Sequence, residues 1–201
     1  MSKLEKTKTS KGQYDMIENV EYSLKDKNGN MKSLFQQNAL YTFAMKKGIL
    51  SPFAYQKLGG ILSPFLGYWS KSIKVANLMT NAGFAGVAAR ISGVGSPNAY
   101  TYIAVGTGAT AANVADTTLQ TELAASGLSR AAASMSQVTT TVTNDTAQAV
   151  VTFTVTGTAA VTESGLLNAA STGTLLCRQV FSAINVVNGD SLQITWKVKA
   201  A

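Results

Sequence analysis

The amino-acid sequence predicts a mainly β protein: an antiparallel, jelly-roll-like β-sandwich domain over residues 96–201, preceded by an N-terminal arm, a hairpin and short helices. Three observations carry this expectation. Beyond Tyr100 the chain falls into short β-branched and aromatic runs of strand length. Turn residues separate the runs, and no long helical periodicity interrupts them. Charged residues make up only 13% of the 201 residues, about half the usual share, against 46% hydrophobic residues. A sizeable core is therefore available, and much of the surface must be Thr, Ser, Ala, Asn and Gln.

Taken in order, residues 1–19 form a basic arm whose Lys3, Lys6, Lys8 and Lys11 stand among Ser and Thr with almost nothing to bury. Residues 20–95 read as a docking segment. Val20, Tyr22 and Leu24 alternate with Glu21, Ser23 and Lys25, and Lys27-Asn28-Gly29-Asn30 then turns the chain into residues 31–35. That is a hairpin pattern, and a lone hairpin is marginal in water, so it must pack on the main domain or on a neighbouring subunit. Helical spacing over 36–47 ends in Lys46, Lys47 and Gly48.

Gly48-Ile-Leu-Ser-Pro-Phe53 recurs as Gly60-Ile-Leu-Ser-Pro-Phe65, each Ser-Pro suited to open a short helix. With Tyr68 and Trp69, the phenylalanines Phe53 and Phe65 concentrate large apolar side chains in a short span. Two readings stand: core of a small helical subdomain, or an anchor inserted into a neighbour. Thr80 is placed to cap a helix within 77–93 that carries Phe84, Val87, Ala88 and Ile91 on one face, with Gly83 and Gly86 small enough for close backbone approach. The glycine-rich stretch 92–98 reads as the linker before the 96–201 domain.

In that domain the expected strands are 100–106, 134–143, 147–156, 161–168, 175–184 and 192–199. Asn144-Asp145, Gly157, residues 170–173 and residues 188–190 turn between them.

Charge and chemistry narrow the function. The net charge of +7 lies wholly in residues 1–80, with twelve lysines against five acids; the remainder is balanced. A basic arm suits an anionic or acidic surface, but it lacks interleaved aromatics and the β domain is neutral, which does not favour nucleic acid. Cys177 is the one cysteine and reads as a small core residue; with no histidine in the chain, the usual zinc sets and His-based nucleophile systems are out of reach. No stretch has the length and apolarity of a signal peptide or a membrane span, so synthesis in a cytoplasm is expected.

Gly106-Thr-Gly108-Ala-Thr-Ala111 fits the dinucleotide-binding spacing. That fingerprint needs a following helix inside a βαβ unit, and here at most one short helix near 117–124 precedes more β sequence. A glycine-rich strand end is the better reading. Asp145 and Asp190 sit in turns. Glu163, isolated in an apolar run, is placed to pair with Arg130 or Arg178 in a structural role. No enzyme, metal or cofactor is expected.

Several segments in order resemble a family of tailed-bacteriophage virion structural proteins of head-decoration and tail-fibre type. They are Asp26-Lys-Asn-Gly-Asn30, Leu34-Phe-Gln-Gln-Asn38, Asn77-Leu-Met-Thr-Asn-Ala-Gly83, Tyr102-Ile-Ala-Val-Gly-Thr-Gly108 with Asp116-Thr-Thr-Leu119, Glu163-Ser-Gly-Leu-Leu167 and Gly189-Asp-Ser-Leu-Gln-Ile-Thr-Trp196. The resemblance covers most of the chain beyond residue 20 and implies a virion component without catalytic residues. Its partners would be the major capsid protein or tail proteins, and its own copies, as a trimer.

The leading expectation is a capsid decoration, cement or head-fibre-type protein docked through Phe53, Phe65, Tyr68 and Trp69 with Lys3, Lys6, Lys8 and Lys11. A tail, baseplate or tail-fibre component is the alternative. A carbohydrate- or receptor-binding module, with Tyr100, Tyr102 and Trp196 stacking on sugar, is the rival from another class.

Overall fold

A computed structural model describes residues 19–37, 67–95 and 97–200. In chain order the strands are β1 (Asn19–Lys25), β2 (Leu34–Gln37), β3 (Gly67–Ser70), β4 (Ser72–Ala76) and β5 (Leu78–Met79). Helix α1 (Asn81–Ser92) follows. Then come β6 (Tyr102–Gly106), β7 (Ala131–Ala132), β8 (Ser134–Val138), β9 (Thr146–Thr154), β10 (Ala159–Leu167), β11 (Leu175–Val186) and β12 (Ser191–Lys199). Two five-stranded antiparallel sheets, ordered β4-β1-β12-β9-β8 and β5-β11-β10-β6-β7, form a β-sandwich, and β2 with β3 make a separate two-stranded ribbon.

Alternation puts one face of each strand inside. In the first sheet the register lines up Ile73, Tyr22, Ile194 and Val151 across four strands, and Val20, Trp196 and Ala149 in the next row. All but Val151 are no more than 1% exposed. Opposite them lie Ile103, Val105, Val161, Phe181 and Ile184 of the second sheet. Tyr22 crosses the core: its ring stacks on Phe181 at 3.9 Å between centroids, and its hydroxyl meets the Ser164 hydroxyl at 2.7 Å. Burial raises the Tyr22 phenol, against the opposing effect of the Ser164 bond.

The boundary expected near residue 96 does not divide this core. β1 is an interior strand paired on both sides, and β4 and β5 also come from before that point. The Asn28-Gly29 turn is present, with Gly29 at φ 83°. The expected hairpin partner differs: β2 pairs with β3, and β1 meets the chain after the turn through a Lys25–Met31 bridge and the Lys32 N–H to Leu24 carbonyl bond. Long-range pairing with β12 outcompetes the local hairpin because it buries Val20, Tyr22 and Leu24.

Helix α1 starts where Thr80 accepts the Gly83 N–H at 2.9 Å and stops at Gly93 in the left-handed region. Gly83 packs against the Leu176 backbone, leaving no room for a Cβ, and Gly86 packs against the hydroxyl end of the Tyr100 side chain. Phe84 and Val87 reach the core, whereas Ile91 is 84% exposed. The expected apolar face is thus half used. The expected helices over 36–47 and after the two Ser-Pro pairs lie outside the described residues.

Candidate functional site

The chemically richest cluster lies on the outer face of the second sheet, under the glycine-rich turn. Glu163 of β10 is fully buried, and its carboxylate accepts from the Gly108, Gln120 and Thr121 backbone N–H groups at 3.0, 3.0 and 2.7 Å. The Arg178 guanidinium on the adjacent β11 donates to it at 2.8 Å, and also to Asp116 at 2.8 Å and to the Thr110 carbonyl at 3.1 Å. Burial disfavours the charged guanidinium, but the Asp116 and Glu163 carboxylates outweigh it and raise the Arg178 pKa.

The two glycines are explained by this approach. A Cβ on Gly106 would stand 2.8 Å from Glu163 Cγ, and one on Gly108 2.7 Å from Glu163 Cδ. The turn with dinucleotide-binding spacing therefore wraps a carboxylate of its own chain, and residues 107–124 contain no helix to receive a phosphate. Chemically the cluster is saturated: both Glu163 oxygens are committed to the fold. Arg130, the other expected partner, binds Glu122 bidentately at 2.9 and 2.6 Å and reaches the Ala169 and Thr172 carbonyls.

The turn aspartates behave as the sequence indicated. Asp145 accepts from the Val142, Thr140 and Thr141 N–H groups, which hold its carboxyl well below the usual range. Asp190 accepts from the Val187 N–H and from Lys32. Cys177 is fully buried, and desolvation pushes its thiol far up. Among the described residues no His, Cys, Asp and Glu group is arranged to hold a metal ion.

Of the expected docking residues, Tyr68 and Trp69 lie on β3, 55% and 62% exposed. Trp69 stands opposite Phe35 with ring centroids 5.4 Å apart, and the Tyr68 hydroxyl donates to Gln36 at 2.7 Å. The ribbon thus carries Trp69 braced by Phe35 on one face and Tyr68 braced by Gln36 on the other. Phe53, Phe65, Lys3, Lys6, Lys8 and Lys11 lie outside the described residues. The proposed sugar platform is not assembled: Trp196 is fully buried, Tyr100 is 8% exposed and Tyr102 packs on a small cluster with Ala104, Leu119, Leu167 and Leu175. Alternation turns Trp196 inward, where it fills the sandwich.

An apolar cleft of about 430 Å³ was not foreseen. It opens between the sheets beside α1, lined by Val87, Ile91, Tyr100, Met135, Ala149 and Val198. The Tyr100 hydroxyl is buried there without a hydrogen-bond partner among the described residues, and burial raises its pKa. The apolar stripe of α1 that ends in Ile91 was the signal present in the sequence. No protein-family model matches the chain, and neither a characterised protein nor a solved structure matches it.

Proposed function

We propose that this chain is a non-enzymatic structural component of a bacteriophage particle, a decoration or cement protein that docks on the capsid through its N-terminal part. The observation that carries the reading is the aromatic ribbon. Tyr68 and Trp69 stand more than half exposed on a β pair outside the sandwich sheets. A large aromatic side chain at the centre of an interface typically contributes more than about 2 kcal/mol, whereas an exposed lysine contact contributes about 0–1 kcal/mol and is screened by salt. Apolar docking therefore dominates over the basic arm. The order of virion-like motifs supports the same reading, and the carboxylates Glu163, Asp116 and Asp145 are held by backbone N–H groups and arginine as structural groups.

The chain is made in the host cytoplasm and ends in the virion, with the major capsid protein as its partner. Mass spectrometry of density-purified particles of the phage that encodes it tests this. The protein is expected at a fixed stoichiometry relative to the major capsid protein; its absence from washed particles contradicts the reading.

A further inference from the structure

Among the described residues the two sheets have four edges, and they are not equivalent. β5 and β7 are two residues long. β4 carries Lys74, paired with Glu21, and the Gln36 side chain donates to the Lys74 carbonyl. β8, Ser134 to Val138, is five residues without a charge or a proline, and its first four residues are exposed. Among the described residues, an edge of this length and composition lacks the usual devices against strand addition.

The ladder fixes which groups that edge presents. The Ala200 N–H donates to the Asp145 carbonyl and the Val155 N–H to the Asp190 carbonyl, both at 2.9 Å, continuing the β9–β12 register at its two ends. Odd-numbered residues of β9 therefore turn their backbone groups to β12, and even-numbered ones to β8. Ser134, Ser136 and Val138 stand opposite Val150, Gln148 and Thr146 and are satisfied by them. The N–H and C=O groups of Met135 and Gln137 consequently point outward. They are spaced symmetrically about Ser136. Met135 is 43% exposed and lines the cleft with the 84% exposed Ile91, so apolar surface adjoins the edge.

We infer that β8 joins two copies of this chain edge to edge about a two-fold axis at Ser136. Met135 of each copy then exchanges both backbone hydrogen bonds with Gln137 of the other, and Ser136 faces Ser136 as the non-hydrogen-bonded pair. The sheet runs continuously through ten strands. Along the Ser136 row like charges do not oppose the contact, and the two charged residues that line the cleft with Met135 and Gln137, Arg90 and Asp145, are of opposite sign. The nearest lysine in that row, Lys197, lies opposite Gln148, which lies opposite Ser136. Lys197 and its mate are thus five strand spacings apart, roughly 24 Å, against a Debye length of about 8 Å. The contact is isologous and closes at two, in place of the trimer implied by resemblance. This inference stands whether or not the chain is a particle component.

Ser136→Cys in the full chain is the direct test. The facing Cα atoms would lie about 4.5 Å apart, within disulfide range, and buried Cys177 cannot compete. Mild oxidation is expected to give a covalent dimer with Ser136→Cys and none with Ser134→Cys, whose opposite residue is Val138. In sedimentation, the parent chain is expected as a dimer, Ser136→Lys as a monomer with unchanged far-ultraviolet circular dichroism, and an equimolar mixture of Ser136→Lys and Ser136→Glu as a dimer again. A parent that stays monomeric through the concentration series, a trimer, or a dimer indifferent to residue 136 overturns the inference.

Discussion

Glu163→Gln removes the charge at the centre of the outer-face network while keeping its shape. One amide oxygen can still accept from two of the three backbone N–H groups now served at 2.7 to 3.0 Å. The new NH₂ then faces the remaining N–H and the Arg178 guanidinium, donor against donor. Breaking a buried ion pair from one side costs about 3–5 kcal/mol, and Arg178 keeps Asp116 and the Thr110 carbonyl, which places the loss near about 3 kcal/mol. For a chain of this size that lowers Tm by about 6–12 °C. Differential scanning calorimetry reads the global loss, and hydrogen exchange at Gly108, Gln120 and Thr121 reads the local one. Adding Arg178→Met is expected to recover part of the loss, because it removes the donor that faces the new amide NH₂. A Tm within about 2 °C of the parent, with exchange at the three amides unchanged, would refute the claim that Glu163 pins the glycine turn.

Two further outcomes follow from the same structure. Asp145 has its folded pKa depressed by backbone N–H groups, so its stabilising contribution is complete above the unfolded carboxylate pKa of about 3.9 and is lost as pH falls through the lower folded value. Asp145→Asn should therefore lower Tm by a constant amount from pH 5 to 8 (roughly the range well above that pKa), with the gap closing in more acidic solution; a gap that widens there contradicts it. Residues 96–201 alone should show no cooperative unfolding transition, because β1 supplies an interior strand. Burying Val20 and Leu24 contributes about 1.5–3 kcal/mol each, a large share of a typical 5–15 kcal/mol. A sharp thermal transition in that fragment would show that the sandwich closes without β1.

Strands were legible wherever one face is buried and the other wet. β12, with Leu192, Ile194, Trp196 and Val198 inward, and β9, with Ala149, Val151 and Phe153 inward, are such cases. Period two marks a strand but not its neighbour, so β1 was visible while its place between β4 and β12 was not. The same limit produced the boundary expected near residue 96. Gly93 and Gly95, at φ 70° and 69°, end a helix on the sandwich; they do not separate two cores. In the outer-face network, Glu163 and Arg178 stood out as charges in apolar runs. Asp116 and the Gly108 amide arrive from a loop whose path only the folded backbone defines. The edge polarity of β8 and the cleft beside it depend on register, which composition does not encode.

The proposed attachment is tested most directly by binding the full chain to purified phage particles that lack it, comparing the parent with Trp69→Ser, Tyr68→Ser and the combined change of Lys3, Lys6, Lys8 and Lys11 to Ser. The expected result is a loss of about thirty-fold or more in affinity for Trp69→Ser, corresponding to roughly 2 kcal/mol, with binding retained in high salt and only a small effect of the four lysine changes. Release by the lysine changes or by salt, with Trp69→Ser and Tyr68→Ser still bound, would contradict docking through the aromatic ribbon.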